Sequence, residues 1–195
     1  MVLSPPKLPN PLHPLDRIAF AGPMCSGKTT LAKVLVEDFG YVKTSFARIL
    51  KDTAESLYGP ITKNNESRKI LQEMSGDLKK WDKELFITHL LLDIEEYIYA
   101  NHQTVVVDDL RYKREYEALK ENEFIIIGVG CREDERMRRI YSLYPDTEVE
   151  RFSHPSEIEW RDMRMDYWID NTGPGGESSV HSLIVGSIGR GDRKC

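Results

Sequence analysis

Eight consecutive residues, Gly22-Pro23-Met24-Cys25-Ser26-Gly27-Lys28-Thr29, follow the pattern G-x-x-x-x-G-K-T. Such a run is meaningful when a strand delivers the chain to it and a helix carries the chain away. Both are predicted here. Arg17-Ile-Ala-Phe-Ala21 is an apolar run of strand length, and Thr30-Leu-Ala-Lys-Val-Leu-Val36 has helical character. Gly22 and Gly27 let the backbone turn tightly and bring N–H groups close to the oxygens of an anion. The helix behind the loop aims its partial positive charge at the same place. Residues Gly22 to Thr30 are therefore expected to cradle the phosphates of ATP. Lys28 should reach the β- and γ-phosphates, and Thr29 Oγ should hold Mg²⁺.

The rest of the chain fits one folded domain around this loop. At 195 residues it can bury one good core. The first sixteen residues carry five prolines, which predicts an extended leader at 1–16. The domain itself is expected over 17–188, with a flexible tail at 189–195. Strands are predicted at Tyr41–Ser45, Gln103–Val107, Glu123–Val129 and Tyr167–Asp170. Helices are predicted at Phe46–Leu57, Ser67–Leu78, Trp81–Tyr99, Tyr112–Glu121, Arg132–Tyr141 and Ser178–Val185. Alternating strands and helices imply a parallel sheet with helices on both faces, a three-layer αβα P-loop NTPase fold. The net charge of −5 argues mildly against a surface for non-specific nucleic-acid binding. No apolar run is long enough to span a bilayer. Three cysteines without metal spacing fit a reduced, cytoplasmic setting.

Several residues beyond the loop are expected to carry chemistry. Val105-Val-Val-Asp108 is an apolar strand ending in an acid, the form needed for a carboxylate opposite Lys28 and Thr29. Adjacent strand residues point to opposite faces, so Asp108 is assigned to Mg²⁺ and Asp109 to the acceptor or an arginine. Arg111 follows at the strand-to-helix turn. Arg132, Arg136 and Arg139 recur at i, i+4 and i+7, one face of a helix that could close as a lid spanning about 132–153. Arg132 and Arg136 are expected to meet the charge of the transferred group. Ser45, Arg48, Arg68 and Gln72 are placed on the acceptor side, where a phosphate needs arginine and a base needs an amide. His154 and Glu157 are read as a cap and brace.

Taken in order, these segments resemble the phage-type deoxynucleoside monophosphate kinases. The matching residues are Gly22–Thr30, Thr44-Ser-Phe-Ala47, Leu50-Lys51, Arg68-Lys-Ile-Leu-Gln72, Val105-Val-Val-Asp-Asp-Leu-Arg111, His154-Pro-Ser-Glu157 and 166–173. The resemblance implies a nucleoside-monophosphate-kinase fold, ATP with Mg²⁺ as donor, and a nucleotide acceptor; a pyrimidine deoxynucleotide, foremost a deoxynucleoside monophosphate, is the acceptor expected here. It is compatible with a homodimer, and a phage protein would work in the host cytoplasm. Two positions depart from the family: Thr29 stands where Asp is frequent, and Lys113-Arg114-Glu115 where an Asn often precedes the first Glu. A related group of phage kinases phosphorylates 5-hydroxymethyluracil within DNA. That acceptor is a hydroxyl, and Asp109 would be its base. A third reading is an ATP-binding regulatory module with no acceptor.

Overall fold

Ile18, Ala19, Phe20 and Ala21 are fully buried and Arg17 nearly so, which marks strand β1 (Arg17–Ala21) as one with neighbours on both sides. It is the middle strand of a five-stranded sheet ordered β2-β3-β1-β4-β5. Here β2 is Val42–Thr44, β3 Val105–Leu110, β4 Ile125–Gly130 and β5 Tyr167–Asp170. β1 pairs in parallel with β3 and β4, and β4 with β5. The helices are α1 (Lys28–Phe39), α2 (Arg48–Tyr58), α3 (Asn65–Trp81), α4 (Leu85–Asn101), α5 (Lys113–Glu121), α6 (Glu133–Leu143), α7 (Pro155–Ile158) and α8 (Gly175–Gly191). The computed structural model describes residues 4–62, 65–101, 104–145 and 155–191.

The topology explains the three layers. From β1 the chain crosses to β2 through α1, and from β3 it crosses the other way to β4 through α5. Crossovers of one hand that run in opposite directions put their helices on opposite faces. β1 and β3 are thus neighbours whose outgoing connections diverge, and ligands bind beyond the carboxyl ends at such a point. On one face Ile18, Phe20, Val106 and Ile127 join Leu31 and Leu35 of α1 and Ile184 of α8 in the main core.

Internal contacts divide the chain into two compact units. One comprises Met1–Pro9 and Thr44–His102 and holds α2, α3 and α4. Within it α2 packs on α3 and α4, and Leu8, Phe46, Leu50 and Ala54 are buried. The other comprises Asn10–Lys43 and Gln103–Cys195 and holds the phosphate-loop segment, α1, β1 and β3 to β5. Among the described residues no helix is long and apolar enough to cross a membrane.

Three details differ from the sequence reading. The leader ends in a 3₁₀ turn, Pro14–Asp16, because Pro14 tolerates a first helical position and His13 caps it. His13 Nδ1 accepts the Leu15 N–H at 3.2 Å, and Asp16 Oδ2 accepts the His13 N–H at 2.8 Å. β3 does not stop at Val107 but runs through both aspartates to Leu110. α8 continues to Gly191, past the predicted start of the tail.

Candidate functional site

The phosphate loop has the backbone its glycines were predicted to allow. Gly22 has φ +141° and Gly27 φ +102°, and a Cβ on Gly27 would lie 2.0 Å from Asn171 Nδ2. Cys25 also takes a left-handed φ of 60°. Gly27 caps α1, so the first turn of that helix faces into the loop. Lys28 is 6% exposed, and its Nζ donates to the carbonyls of Gly22 and Pro23, both at 2.7 Å. Burial first, and the Arg111 charge second, pull the lysine pKa down to about 7, against the opposing charges of Glu157, Asp108 and Asp109. An ammonium so poorly solvated is strongly favoured by an incoming phosphate. Burial also pushes the Cys25 thiol up, which disfavours a reactive thiolate. Ser26 is buried, and Thr29 and Thr30 are exposed at the start of α1.

The acids at the end of β3 lie at an irregularity. Ala19 pairs with Val107 but Ala21 pairs with Leu110, so Asp108 and Asp109 together oppose Phe20. One extra residue in a strand re-aims side chains, and simple alternation no longer decides where each acid points. Both interact electrostatically with Lys28. Asp108 is 7% exposed and its Oδ2 is paired with Lys43 Nζ at 2.9 Å. Lys43 had no role in the sequence reading, because only the pairing of β2 beside β3 brings it there. Thr29 and Asp108 offer a hydroxyl and a carboxylate, hard oxygen donors of the kind Mg²⁺ takes along with nucleotide phosphates.

The arginine face predicted for α6 holds in part. Arg136 is 8% exposed, donates from Nε and Nη2 to Glu133, and interacts with Glu157 and Cys25. Arg139 donates from Nη2 to the Asn171 carbonyl at 2.8 Å and from Nε to Glu135. Arg132 is 70% exposed and pairs with Asp134. The reason is local: Arg132 is the N-cap, with φ −56° and ψ 143°, so helical spacing does not apply to it. The rest of the predicted lid, 146–153, and His154 lie outside the described residues.

Two further residues brace the loop. Asn171, just past β5, donates from Nδ2 to the Ser26 carbonyl at 2.9 Å and lies between Gly27 and Gly176. Glu157 is 5% exposed; it accepts the Met24 N–H and an N–H of Arg111. The sequence reading treated Glu157, with His154, as a cap and brace for the lid's return and gave Asn171 no individual role. An Asn set among Gly173, Gly175 and Gly176 was the available signal.

Of the predicted acceptor residues, Ser45, Arg48, Arg68 and Gln72 lie in the helical unit. Arg48 donates from Nη1 to Asp93 Oδ2 at 3.2 Å and to the Tyr97 hydroxyl, and lies near Asp52. Ser45 is half-buried and its carbonyl accepts the Arg48 N–H at 3.1 Å. Gln72 is exposed on α3, the helix that also carries Arg68.

A family model described as an AAA domain, AAA_18, matches residues 18–153. The chain is 26% identical over 177 residues to an Acanthamoeba polyphaga mimivirus protein provisionally named a deoxynucleotide monophosphate kinase, covering 75% of this chain and 83% of that one. A Chloroflexus aurantiacus protein, provisionally described as a kinase, superposes with a TM-score of 0.56 at 14% identity, over 92% of this chain and 99% of that one. Dephospho-CoA kinase from Campylobacter jejuni superposes with a TM-score of 0.52 at 18% identity, over 90% and 98%. At these identities the two structures speak for the fold.

Proposed function

This chain belongs to the AAA domain family, and on that premise we propose that it is a P-loop kinase moving the γ-phosphoryl group of ATP onto a pyrimidine deoxynucleoside monophosphate. The observation that carries the reading is the buried Lys28 in a glycine-turned loop, with Arg111, Arg136 and two aspartates around it. That arrangement binds a nucleoside triphosphate by its phosphates and lowers the cost of the charge that moves between donor and acceptor. Residues Gly22 to Thr30 hold ATP. Lys28 faces the β- and γ-phosphates, whose negative charge favours its ammonium. Thr29 and Asp108 would hold Mg²⁺, which would supply charge neutralisation at those phosphates. Arg136, and Arg132 if α6 moves, face the group in transit. The sequence assigns Ser45, Arg48, Arg68, Gln72, Asp109 and Arg111 to the acceptor side.

Two carboxylates next to the loop are engaged by cations, which suits a phosphate acceptor, while Asp109 is the base that a hydroxyl acceptor would use. Asp108 is paired with Lys43 and Glu157 with Arg111. A monophosphate brings an ionised oxygen and needs no proton removed, so paired acids cost it nothing. The mimivirus relative, by its name, points to the same substrate class.

One observation favours the DNA reading. Trp81 is 87% exposed at the end of α3, beside Lys79 and Lys80, where an extruded base could stack. The test is ATP consumption with Mg²⁺ across the four standard deoxynucleoside monophosphates, 5-hydroxymethyl-dUMP, and DNA with and without 5-hydroxymethyluracil. Turnover of a free pyrimidine monophosphate is expected. Label entering only the modified DNA would replace this reading with the second. ATP loss without any labelled acceptor would leave an ATP-binding regulatory module.

A further inference from the structure

Glu157 joins three segments that are distant in the chain. Its Oε2 accepts the Met24 N–H of the phosphate loop at 2.8 Å, and its Oε1 accepts from Arg111 Nη1, at the end of β3, also at 2.8 Å. The Glu157 side chain is 6% exposed and that of Arg111 is 34% exposed. A buried carboxylate beside a loop built for phosphate repels the nucleotide unless a cation cancels its charge. Arg111 cancels it. Both carboxylate oxygens are then engaged.

The pairing also defines Arg111. A guanidinium carries five N–H donors in a rigid fork. With Nη1 anchored on Glu157, the orientation of the remaining donors is set by α7 and not by a free side chain. The anchor lies beside the residues that Lys28 bonds, Gly22 and Pro23, and Arg111 is near enough to Lys28 to lower its pKa.

We propose that Glu157 is a positioning residue for phosphoryl transfer: it aims the remaining donors of Arg111 at the phosphoryl group in transit and holds the loop through Met24. This rests on the kinase reading above. Three variants of the full chain test it: Glu157→Gln, Arg111→Met, and the two together. The readouts are the ATP dissociation constant without acceptor, and kcat and KM with the best acceptor. The amide oxygen of Glu157→Gln still accepts the Met24 N–H, so its KM for ATP stays within about threefold while kcat falls ~10–100-fold through a misplaced Arg111. Arg111→Met removes the hydrogen-bonded ion pair of buried Glu157 and leaves it only the longer-range charges of Lys28 and Arg136, so ATP affinity falls by ~tenfold or more. The double variant recovers most of that affinity and has the kcat of Arg111→Met alone. A purely structural role would lower thermal stability without this recovery.

A kcat for Glu157→Gln within about twofold of wild type, or losses that add in the double variant, would overturn the proposal. If Arg111→Met does not fold, Glu157→Asp takes its place: the shorter acid keeps the charge but cannot span both partners, and its kcat should fall as far as that of Glu157→Gln. If the wild type phosphorylates no acceptor, the kinase reading falls. The binding arm then still decides whether Glu157 and Arg111 act as a pair at the loop, and absence of recovery sinks that.

Discussion

At the scale of the residue, Lys28 combines two opposing properties. Its ammonium is buried and held by two carbonyls, and its pKa is pulled down to about 7. Such a group is poorly solvated by itself and is compensated when phosphate arrives, so its interaction is greatest where negative charge is densest. Lys28→Ala is expected to lower transfer by ~10³-fold or more, with far-ultraviolet circular dichroism unchanged. Normal turnover in that variant would remove Lys28 from the mechanism. Asp108, Arg136 and Glu157 repeat the theme: each is buried, and each has an ionic partner, Lys43, Glu133 and Arg111 respectively. Breaking such a pair by removing one partner costs more than removing both.

At the scale of the element, the sheet is locked to its leading turn by Tyr41. This residue precedes β2, and its hydroxyl donates to the Leu15 carbonyl of the 3₁₀ turn at 2.6 Å. Burial, helped by the nearby Asp16 charge, holds the phenol well above its usual pKa. The sign follows from linkage. Between the unfolded pKa of ~10 and the higher folded value, the native state binds more protons, so stability present below about pH 10 falls as pH rises. Tyr41→Phe should cost about 1 kcal/mol at pH 7 through the lost hydrogen bond, and give a shallower alkaline decline. Urea denaturation at several pH values from 7 to 11 would check both. An unchanged alkaline slope would mean that other groups control it.

At the scale of the whole molecule, nucleotide binding at one loop should register as global stability. A ligand at 100 times its dissociation constant adds ~2.7 kcal/mol. For a chain of this length, that raises Tm by roughly 5–10 °C. ATP with Mg²⁺ is expected to give such a shift in a thermal melt of the wild type and none in Lys28→Ala. Much of the design behind this was legible in the amino-acid order. The octapeptide, the apolar run before it and the helix after it rest on steric and apolar patterning within a few residues, which a sequence states directly. So do the alternation of strands and helices and the two acids near the end of β3. Other features needed the folded chain. The irregularity opposite Phe20 depends on the register of two strands far apart in sequence, and Lys43 reaches Asp108 only because β2 lies beside β3. Arg132 left the face that its spacing assigned because it caps the helix that Arg136 and Arg139 belong to. Glu157 and Asn171 meet the loop across 133 and 145 residues of chain. Local sterics decide the shape of a loop, whereas the partners of its atoms are decided by which distant segments the sheet and helices bring within hydrogen-bond reach.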